Sequence, residues 1–235
     1  MSKKENGIWW RGDMTIKLFM QATTKLLLGI IFVGLLIFLP AGTFFANGLL
    51  LMVVLFLPMF LAGIVMLFKN PDLLKKRLNA REVQQEQKTV VILSGRIFIL
   101  GFIVAGLTIR FNWYILPRSI IAIAVVFFLV GYVIYAEVLR ENTYLSRTIE
   151  IQENQKVIDT GLYSIVRHPM YSATLFLFLS IPLILGSIYA FLIFMGYPFI
   201  VVKRIKSEEK FLEKELKGYC EYEKKVKYRL IPFIW

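Results

Sequence analysis

Long apolar segments alternate with short charged segments along this chain. Each of the first four apolar runs has the length that one helix needs to cross the ~30 Å hydrocarbon core of a bilayer. Five runs are apolar almost throughout: residues 26–46, 47–68, 90–109, 115–139 and 171–202. A soluble fold would have to bury several such helices in one small core. The pattern therefore predicts an all-α, polytopic integral membrane protein.

The fifth run predicts a helical hairpin instead of a single crossing. As one helix, residues 171–202 would reach roughly 48 Å at ~1.5 Å per residue, which exceeds the thickness of a bilayer core. Pro182 and Gly186 lie near its middle, where a turn disrupts the least helix. Two short tilted helices joined at 182–187 bring the total to about six transmembrane segments.

Positive charge indicates which side of the membrane each flank occupies. Residues 1–25, 69–89, 140–170 and 203–235 together hold 25 of the 28 Lys and Arg residues. Because these residues collect in cytoplasmic flanks, the distribution predicts six crossings with both termini in the cytoplasm. The net charge of +12 follows mostly from this topology. Its spread over separated flanks does not favour a nucleic-acid partner.

Three segments outside the apolar runs have distinct patterns. Residues 70–78 combine leucines with cations and predict an interfacial amphipathic helix, with Asn70 or Asp72 near its cap. Residues 146–161 are rich in β-branched residues and end in a turn, which predicts an extended, ordered loop. Residues 207–228 predict a helix that is broken near Gly218.

The densest polar chemistry lies on either side of the predicted hairpin. His168, the only histidine, precedes Pro169, and proline fits the first turn of a new helix. After the hairpin, Arg204 lies one helical turn before Glu208 and can share its face. Because a hairpin returns to the side that it left, residues 167–171 and 204–209 are expected to meet on one membrane face.

These residues can also be interpreted as structural or surface residues without a catalytic or binding role. Arg167 and Tyr171 are ordinary anchors at a membrane interface. Glu208 and Glu209 are compatible with a solvated face that has i,i+4 partners. A single histidine and a single cysteine, Cys220, do not make a zinc site, so no metal is expected.

The ordered motifs of residues 115–235 resemble those of the isoprenylcysteine carboxyl methyltransferase family. The motifs that carry the resemblance are Asn142-x3-Ser-Arg-Thr-Ile-Glu-Ile-Gln152, Gln155-x-Val-Ile-x2-Gly161-x-Tyr163-x2-Val166-Arg167-His168-Pro169-x-Tyr171, Arg204-x3-Glu208-Glu209-x2-Leu212, Gly218-x3-Tyr222 and Ile231-Pro-Phe-Ile. This resemblance implies an integral membrane methyltransferase that uses S-adenosylmethionine in a cytosolic pocket and takes its acceptor from the bilayer.

The resemblance also implies roles for particular residues. Arg204 would orient an acceptor carboxylate, and Arg204 and Glu208 would be the catalytic residues. The residues implied to bind the cofactor are Gln155, Tyr163, Val166, Arg167, His168, Tyr171, Glu208, Glu209 and Tyr222. On this basis residues 1–110 supply transmembrane segments and the interfacial helix, and residues 111–235 form the methyltransferase core.

Two other classes of function remain open on the residues alone. NADPH-dependent sterol and enone reductases have a similar Arg-His-Pro-x-Tyr segment, although paired acids suit a cationic sulfonium better than a polyanionic dinucleotide. A transporter or a non-catalytic scaffold is disfavoured, because the polar residues cluster at one interface and not at mid-membrane. The acceptor stays open among prenylated proteins, isoprenoid acids, phospholipid amines and small hydrophobic acids. Membrane lipid is an expected partner, and the oligomeric state is open.

Overall fold

The protein is a bundle of α-helices. A computed structural model describes residues 5–79, 85–142, 144 and 155–235, and only the helical backbone of residues 5–14 and 85–87. The helices in these ranges are α1 (Glu5–Ala41), α2 (Ala46–Lys69), α3 (Pro71–Asn79), α4 (Gln85–Arg110), α5 (Arg118–Glu141), α6 (Pro169–Ile184), α7 (Ile188–Phe194), α8 (Tyr197–Glu215) and α9 (Tyr219–Lys225). A short 3₁₀ turn spans Gly161–Ser164.

Among the described residues, five helical segments are long and apolar enough to cross a membrane. They are α1 from Thr15 onward, α2, α4 from Lys88 onward, α5, and α7 together with α8. The shorter apolar helix α6 packs against α5 as the remaining member of the bundle. The prediction of an all-α, polytopic membrane protein is confirmed. The first turn lies earlier than the predicted boundary at 46, because α1 ends at Ala41 and Gly42 turns the chain with φ +71°.

The connections between helices lie at two ends of the bundle. At one end, the backbone N–H of Leu116, which precedes α5, donates to the carbonyl of Gly186 in the α6–α7 turn. The hydroxyls of Thr108 and Ser187 lie 2.7 Å apart beside it, and Asn47 of α2 is near the same turn. The residues before α6 and after α8 therefore meet at the opposite end.

The predicted hairpin is present and its turn lies within the predicted range 182–187, although Pro182 does not end the helix. Pro182 lies inside α6 near its end, where its missing N–H removes one helical hydrogen bond. The turn falls at Gly186, whose φ of +79° requires a residue without a Cβ. A Cβ there would lie 3.0 Å from side-chain atoms of Asn47 and Ile115. A second break at Gly196 divides the returning limb into α7 and α8.

Helix α3 is amphipathic, as predicted for residues 70–78. The Asn70 side-chain oxygen accepts the backbone N–H of Leu73 at 3.1 Å, so Asn70 caps the helix. On its apolar side, Leu74 packs with Leu18 of α1 and Leu67 of α2. The predicted loop at 146–161 lies outside the described residues up to residue 154.

Helix α5 packs closely against α6 at Gly131. Gly131 of α5 is buried, and a Cβ there would lie 2.9 Å from Cγ of Leu177 and 3.1 Å from its backbone nitrogen. Glycine lets the two helices approach to this distance. The end of α5 is thereby held next to the loop that precedes α6.

Candidate active site

A buried stripe along α8 ends in a carboxylate. Tyr197, Val201, Ile205 and Glu209 recur every four residues and are all buried. This spacing places them on one helical face, which packs toward the protein interior. Glu209 is only 2% exposed, so its charge needs partners within the protein.

Three basic side chains surround Glu209. Arg167 contacts its Oε1 through Nε and a terminal nitrogen, both at 2.8 Å. His168 Nε2 lies 3.2 Å from the same oxygen. Arg229 donates from Nε to Oε2 at 2.6 Å. Both carboxylate oxygens are thus bound, and the buried charge is compensated.

Arg167 also binds the C-terminal tail that follows α9. Its guanidinium donates to the carbonyls of Val226 and Lys227 at 2.8 and 3.2 Å and to Glu223 at 3.0 Å. Its backbone N–H donates to the carbonyl of Tyr228. Burial alone would lower the pKa of Arg167, but the hydrogen bond and charge of Glu209 more than offset it, and the pKa is raised. Arg167 therefore stays charged and joins the loop before α6 to the tail.

The Tyr171 hydroxyl joins Arg204 and Glu208. It donates to Oε2 of Glu208 at 2.6 Å and accepts from Nε of Arg204 at 2.8 Å. Arg204 and Glu208 do share one face of α8, as their spacing predicts. They meet through Tyr171 of α6, and Tyr171 is buried.

A cavity of about 120 Å³ lies beside this contact. We call it the polar cavity. It is formed by the end of α5, the segment before α6, the start of α6, and α8 and α9. Its lining residues are Asn142, Tyr144, Gln155, Lys156, Val157, Ile158, Tyr163, Arg167, His168, Met170, Tyr171, Arg204, Glu208, Leu212, Leu216, Tyr219 and Tyr222.

Most of the residues singled out from the sequence meet at the polar cavity. Those that line it are Gln155, Tyr163, Arg167, His168, Tyr171, Arg204, Glu208 and Tyr222. Val166 and Glu209 do not line it. Val166 is buried behind the wall, and Glu209 is occupied by its three basic partners.

Tyr219 is a cavity residue that the motifs did not point to. Its hydroxyl is buried and, among the described residues, has no hydrogen-bond partner. Burial raises the pKa of Tyr219 well above its usual value, so the hydroxyl is a neutral donor at ordinary pH. One feature of the sequence indicates a role for Tyr219: it lies three residues before Tyr222 and shares its helical face.

The polar cavity fits S-adenosylmethionine in the chemistry of its wall. Glu208 offers a carboxylate to a positive sulfur, and the Tyr219 hydroxyl offers a hydrogen bond that no described residue takes. Apolar side chains such as Leu212, Leu216 and Val157 suit the flat face of a purine.

Comparison with known proteins agrees with the motif resemblance. Residues 117–217 match the family model described as phospholipid methyltransferase. This is the same family of integral membrane methyltransferases to which the isoprenylcysteine carboxyl methyltransferases belong. The match covers somewhat less than half of the chain and ends before α9 and the tail. No curated protein matches the sequence.

Glu209→Ala should destabilise the protein by about 3–5 kcal/mol, because it leaves the buried Arg167 without its main counter-charge. Thermal unfolding in detergent measures the effect. Glu213→Ala is the matched control, since Glu213 lies one turn further along α8 and is exposed. Equal unfolding temperatures for the two variants would show that the buried cluster does not stabilise the fold.

Proposed function

From the match of residues 117–217 to the phospholipid methyltransferase family model, we propose that this membrane protein transfers a methyl group from S-adenosylmethionine to the carboxylate of a lipophilic acceptor. The observation that carries the proposal is the Arg204–Tyr171–Glu208 arrangement at the wall of the polar cavity. In this arrangement Arg204 and Glu208 both contact the Tyr171 hydroxyl. A cationic methyl donor next to Glu208 and an anionic acceptor next to Arg204 can therefore be held side by side. The division at residue 110 into a transmembrane part and a methyltransferase core stays part of this proposal.

Glu208 and the tyrosines of the cavity are the proposed cofactor residues. When bound, S-adenosylmethionine supplies a methyl group on a positively charged sulfur. Glu208 attracts that charge, and Tyr219 donates a hydrogen bond to the cofactor's polar groups. Tyr163, His168 and Gln155 complete the wall. Arg167 acts indirectly, because its charge is taken up by Glu209 and Glu223.

The same charges disfavour the NADPH alternative. A dinucleotide brings phosphates that need uncommitted cations. Arg167 lines the polar cavity but is bound to two carboxylates. Lys156 and Arg204 also line it, but Glu208, which shares the Tyr171 hydroxyl with Arg204, would repel a phosphate. No comparison supports a reductase.

Arg204 is the proposed acceptor residue. A guanidinium binds a carboxylate through a planar pair of N–H groups, which fixes the direction of the attacking oxygen. A carboxylate is already deprotonated at neutral pH, so the reaction needs no general base. The contribution of the protein is alignment of the oxygen, the methyl carbon and the leaving sulfur, and alignment can lower a barrier by up to ~7–11 kcal/mol. A prenylated protein or a free isoprenoid acid has the required chemistry.

The polar cavity is proposed to face the cytoplasm, with both termini on that side. The support is the concentration of Lys and Arg at this end of the bundle. In a Cys220→Ser background, Asn112→Cys should react with an impermeant maleimide on intact cells. Lys225→Cys should react only after permeabilisation. Labelling of position 225 on intact cells would reverse the proposed orientation.

Calorimetry of the purified protein tests the cofactor. S-adenosylhomocysteine should bind saturably and NADPH should not. Glu208→Gln should weaken the binding of S-adenosylmethionine by about tenfold or more, since the attraction between the carboxylate and the positive sulfur is lost. It should weaken the binding of S-adenosylhomocysteine, whose sulfur is neutral, by less. Glu213→Gln, an exposed change of the same kind on the same helix, is the control. Saturable binding of NADPH alone would contradict the proposal.

Arg204→Ala should reduce kcat/KM for a lipophilic carboxylate by roughly 10²-fold or more, which corresponds to ~3 kcal/mol of lost alignment. Arg204→Lys should also be impaired, because it keeps the charge and loses the planar fork. Lys203→Ala removes the neighbouring exposed cation and is the control. Affinity for S-adenosylhomocysteine should stay within a few-fold of the parent. Loss of cofactor binding with intact acceptor affinity would instead place Arg204 in the cofactor site.

A further inference from the structure

A second cavity, of about 470 Å³, lies between α1, α2, α3 and α5. We call it the apolar cavity. Its volume lies within the ~300–1,000 Å³ typical of small-molecule pockets. Its wall is made mostly of Leu, Phe, Met, Ala and Gly side chains. Three of its four walls, α1 to α3, precede the segment that matches the family model, so that match does not account for it.

Hydrogen bonds between helices hold the apolar cavity open at both ends. Deep in the bundle, the Tyr132 hydroxyl of α5 donates to the Leu55 carbonyl of α2 at 2.5 Å. At the other end, Arg77 of α3 donates to the Tyr135 hydroxyl at 2.6 Å, and its guanidinium lies 5.4 Å from the centre of that ring. The walls are therefore fixed relative to one another, and the cavity is preformed.

The apolar cavity has the length of one leaflet. Along α2 it extends from Phe56 to Leu67, which is about 16 Å of helix at ~1.5 Å per residue. Half of a ~30 Å hydrocarbon core is about the same length. Phe19, Met59 and Phe60 line the cavity and are exposed, so a hydrocarbon chain can enter sideways from the bilayer.

Charge distinguishes the two ends of the apolar cavity. Lys25 of α1 and Arg77 of α3 line it, and Lys25 donates to the Leu78 carbonyl of the amphipathic helix. Both cations therefore lie at the end where α3 sits. No Asp or Glu is among the described residues that line the cavity. The deep end, near Gly29, Phe56 and Tyr132, has no charged side chain in the described wall.

We propose that the apolar cavity binds an anionic phospholipid, with one acyl chain between α1, α2 and α5 and the phosphate group against Lys25 and Arg77. A phosphate accepts hydrogen bonds from guanidinium and ammonium groups. Cations next to the membrane surface attract anionic lipid. The hydrocarbon length, the cationic end and the lack of an acidic side chain in the described wall all fit this one ligand. The site does not depend on the identity of the methyl acceptor.

The bound lipid would lie directly behind the wall of the polar cavity. Leu139 lines the apolar cavity and is one helical turn before Asn142, which lines the polar cavity. Asn142 donates to the Tyr163 hydroxyl at 2.9 Å. Burial raises the pKa of Tyr163 to about 12, and the positive charge of Arg77 is among the influences that oppose this rise.

Photo-crosslinking with purified full-length protein tests the proposal. The probe is phosphatidylglycerol with a diazirine in one acyl chain, supplied in mixed micelles. Crosslinks should map to the segments 56–67 and 132–139. Phosphatidylcholine with the same labelled chain carries no net charge and should give about tenfold less product. A fatty acid with the same label separates a free carboxylate from a phosphate.

Two pairs of variants sharpen the test. Gly63→Phe should lower the yield from phosphatidylglycerol by about tenfold, because Gly63 lines the apolar cavity and has nothing within 4 Å of a Cβ position. Gly95→Phe is the control, since Gly95 is equally unobstructed in α4 and does not line the cavity. Arg77→Gln should reduce the preference for phosphatidylglycerol, and Lys75→Gln, an exposed change on the same helix, should not. Gel filtration checks that each variant is folded.

Each outcome decides the proposal. Loss of the crosslinks in Gly63→Phe and a reduced preference for phosphatidylglycerol in Arg77→Gln, with no change in either control, support an anionic phospholipid site. Equal crosslinking of phosphatidylcholine indicates ordinary surrounding lipid and overturns it. Crosslinking of the fatty acid alone overturns it in favour of a free carboxylate ligand. If Gly63→Phe does not fold, the pair at 77 and 75 decides the question.

Discussion

The arrangement of the segments around the polar cavity depends on one buried carboxylate. Glu209 sits at the end of the apolar stripe of α8 and is bound by Arg167, His168 and Arg229. These residues come from the loop before α6 and from the tail, so a single charge holds three separate segments. A buried charge without partners is strongly unfavourable, and removal of one partner of such a group typically costs about 3–5 kcal/mol. The segments that surround the polar cavity therefore have one stable arrangement.

This constraint separates two adjacent acids. Successive residues on a helix point about 100° apart, so Glu209 faces the interior while Glu208 faces the polar cavity. Glu208 contacts the Tyr171 hydroxyl, and its Oε1 has no hydrogen-bond donor among the described residues. One glutamate thus fixes the wall and its neighbour remains available to a ligand. The two adjacent glutamates therefore have different surroundings, although the sequence alone does not distinguish them.

The sequence predicted the elements that follow from hydropathy and backbone chemistry. The membrane helices, the cap of α3 at Asn70, the start of α6 at Pro169 and the break at Gly218 are local consequences of residue type. The meeting of the two polar segments followed from the hairpin. Gly186 makes the predicted turn through its positive φ. The break at Gly196 was not predicted, and Pro182 lies inside α6 without ending it.

Long-range contacts were beyond the sequence pattern. The i+4 spacing of Tyr197, Val201, Ile205 and Glu209 indicates the burial of Glu209, but its basic partners lie about 20 and 40 residues away. The Tyr219 hydroxyl, which has no partner among the described residues, takes its position from the packing of α9, and no motif encodes that packing. The assignments of cofactor and acceptor residues stay predictions, with Val166 and Glu209 placed behind the cavity wall.

Helix α5 connects the two cavities and gives the N-terminal half a physical relation to the site. Its outer face, through Tyr132 and Tyr135, forms one wall of the apolar cavity, and its last turn brings Asn142 to the polar cavity. Gly131 fixes this helix against α6, and Tyr132 and Tyr135 fix it against α2 and α3. The segments that precede the family match support the position of the site as well as crossing the membrane.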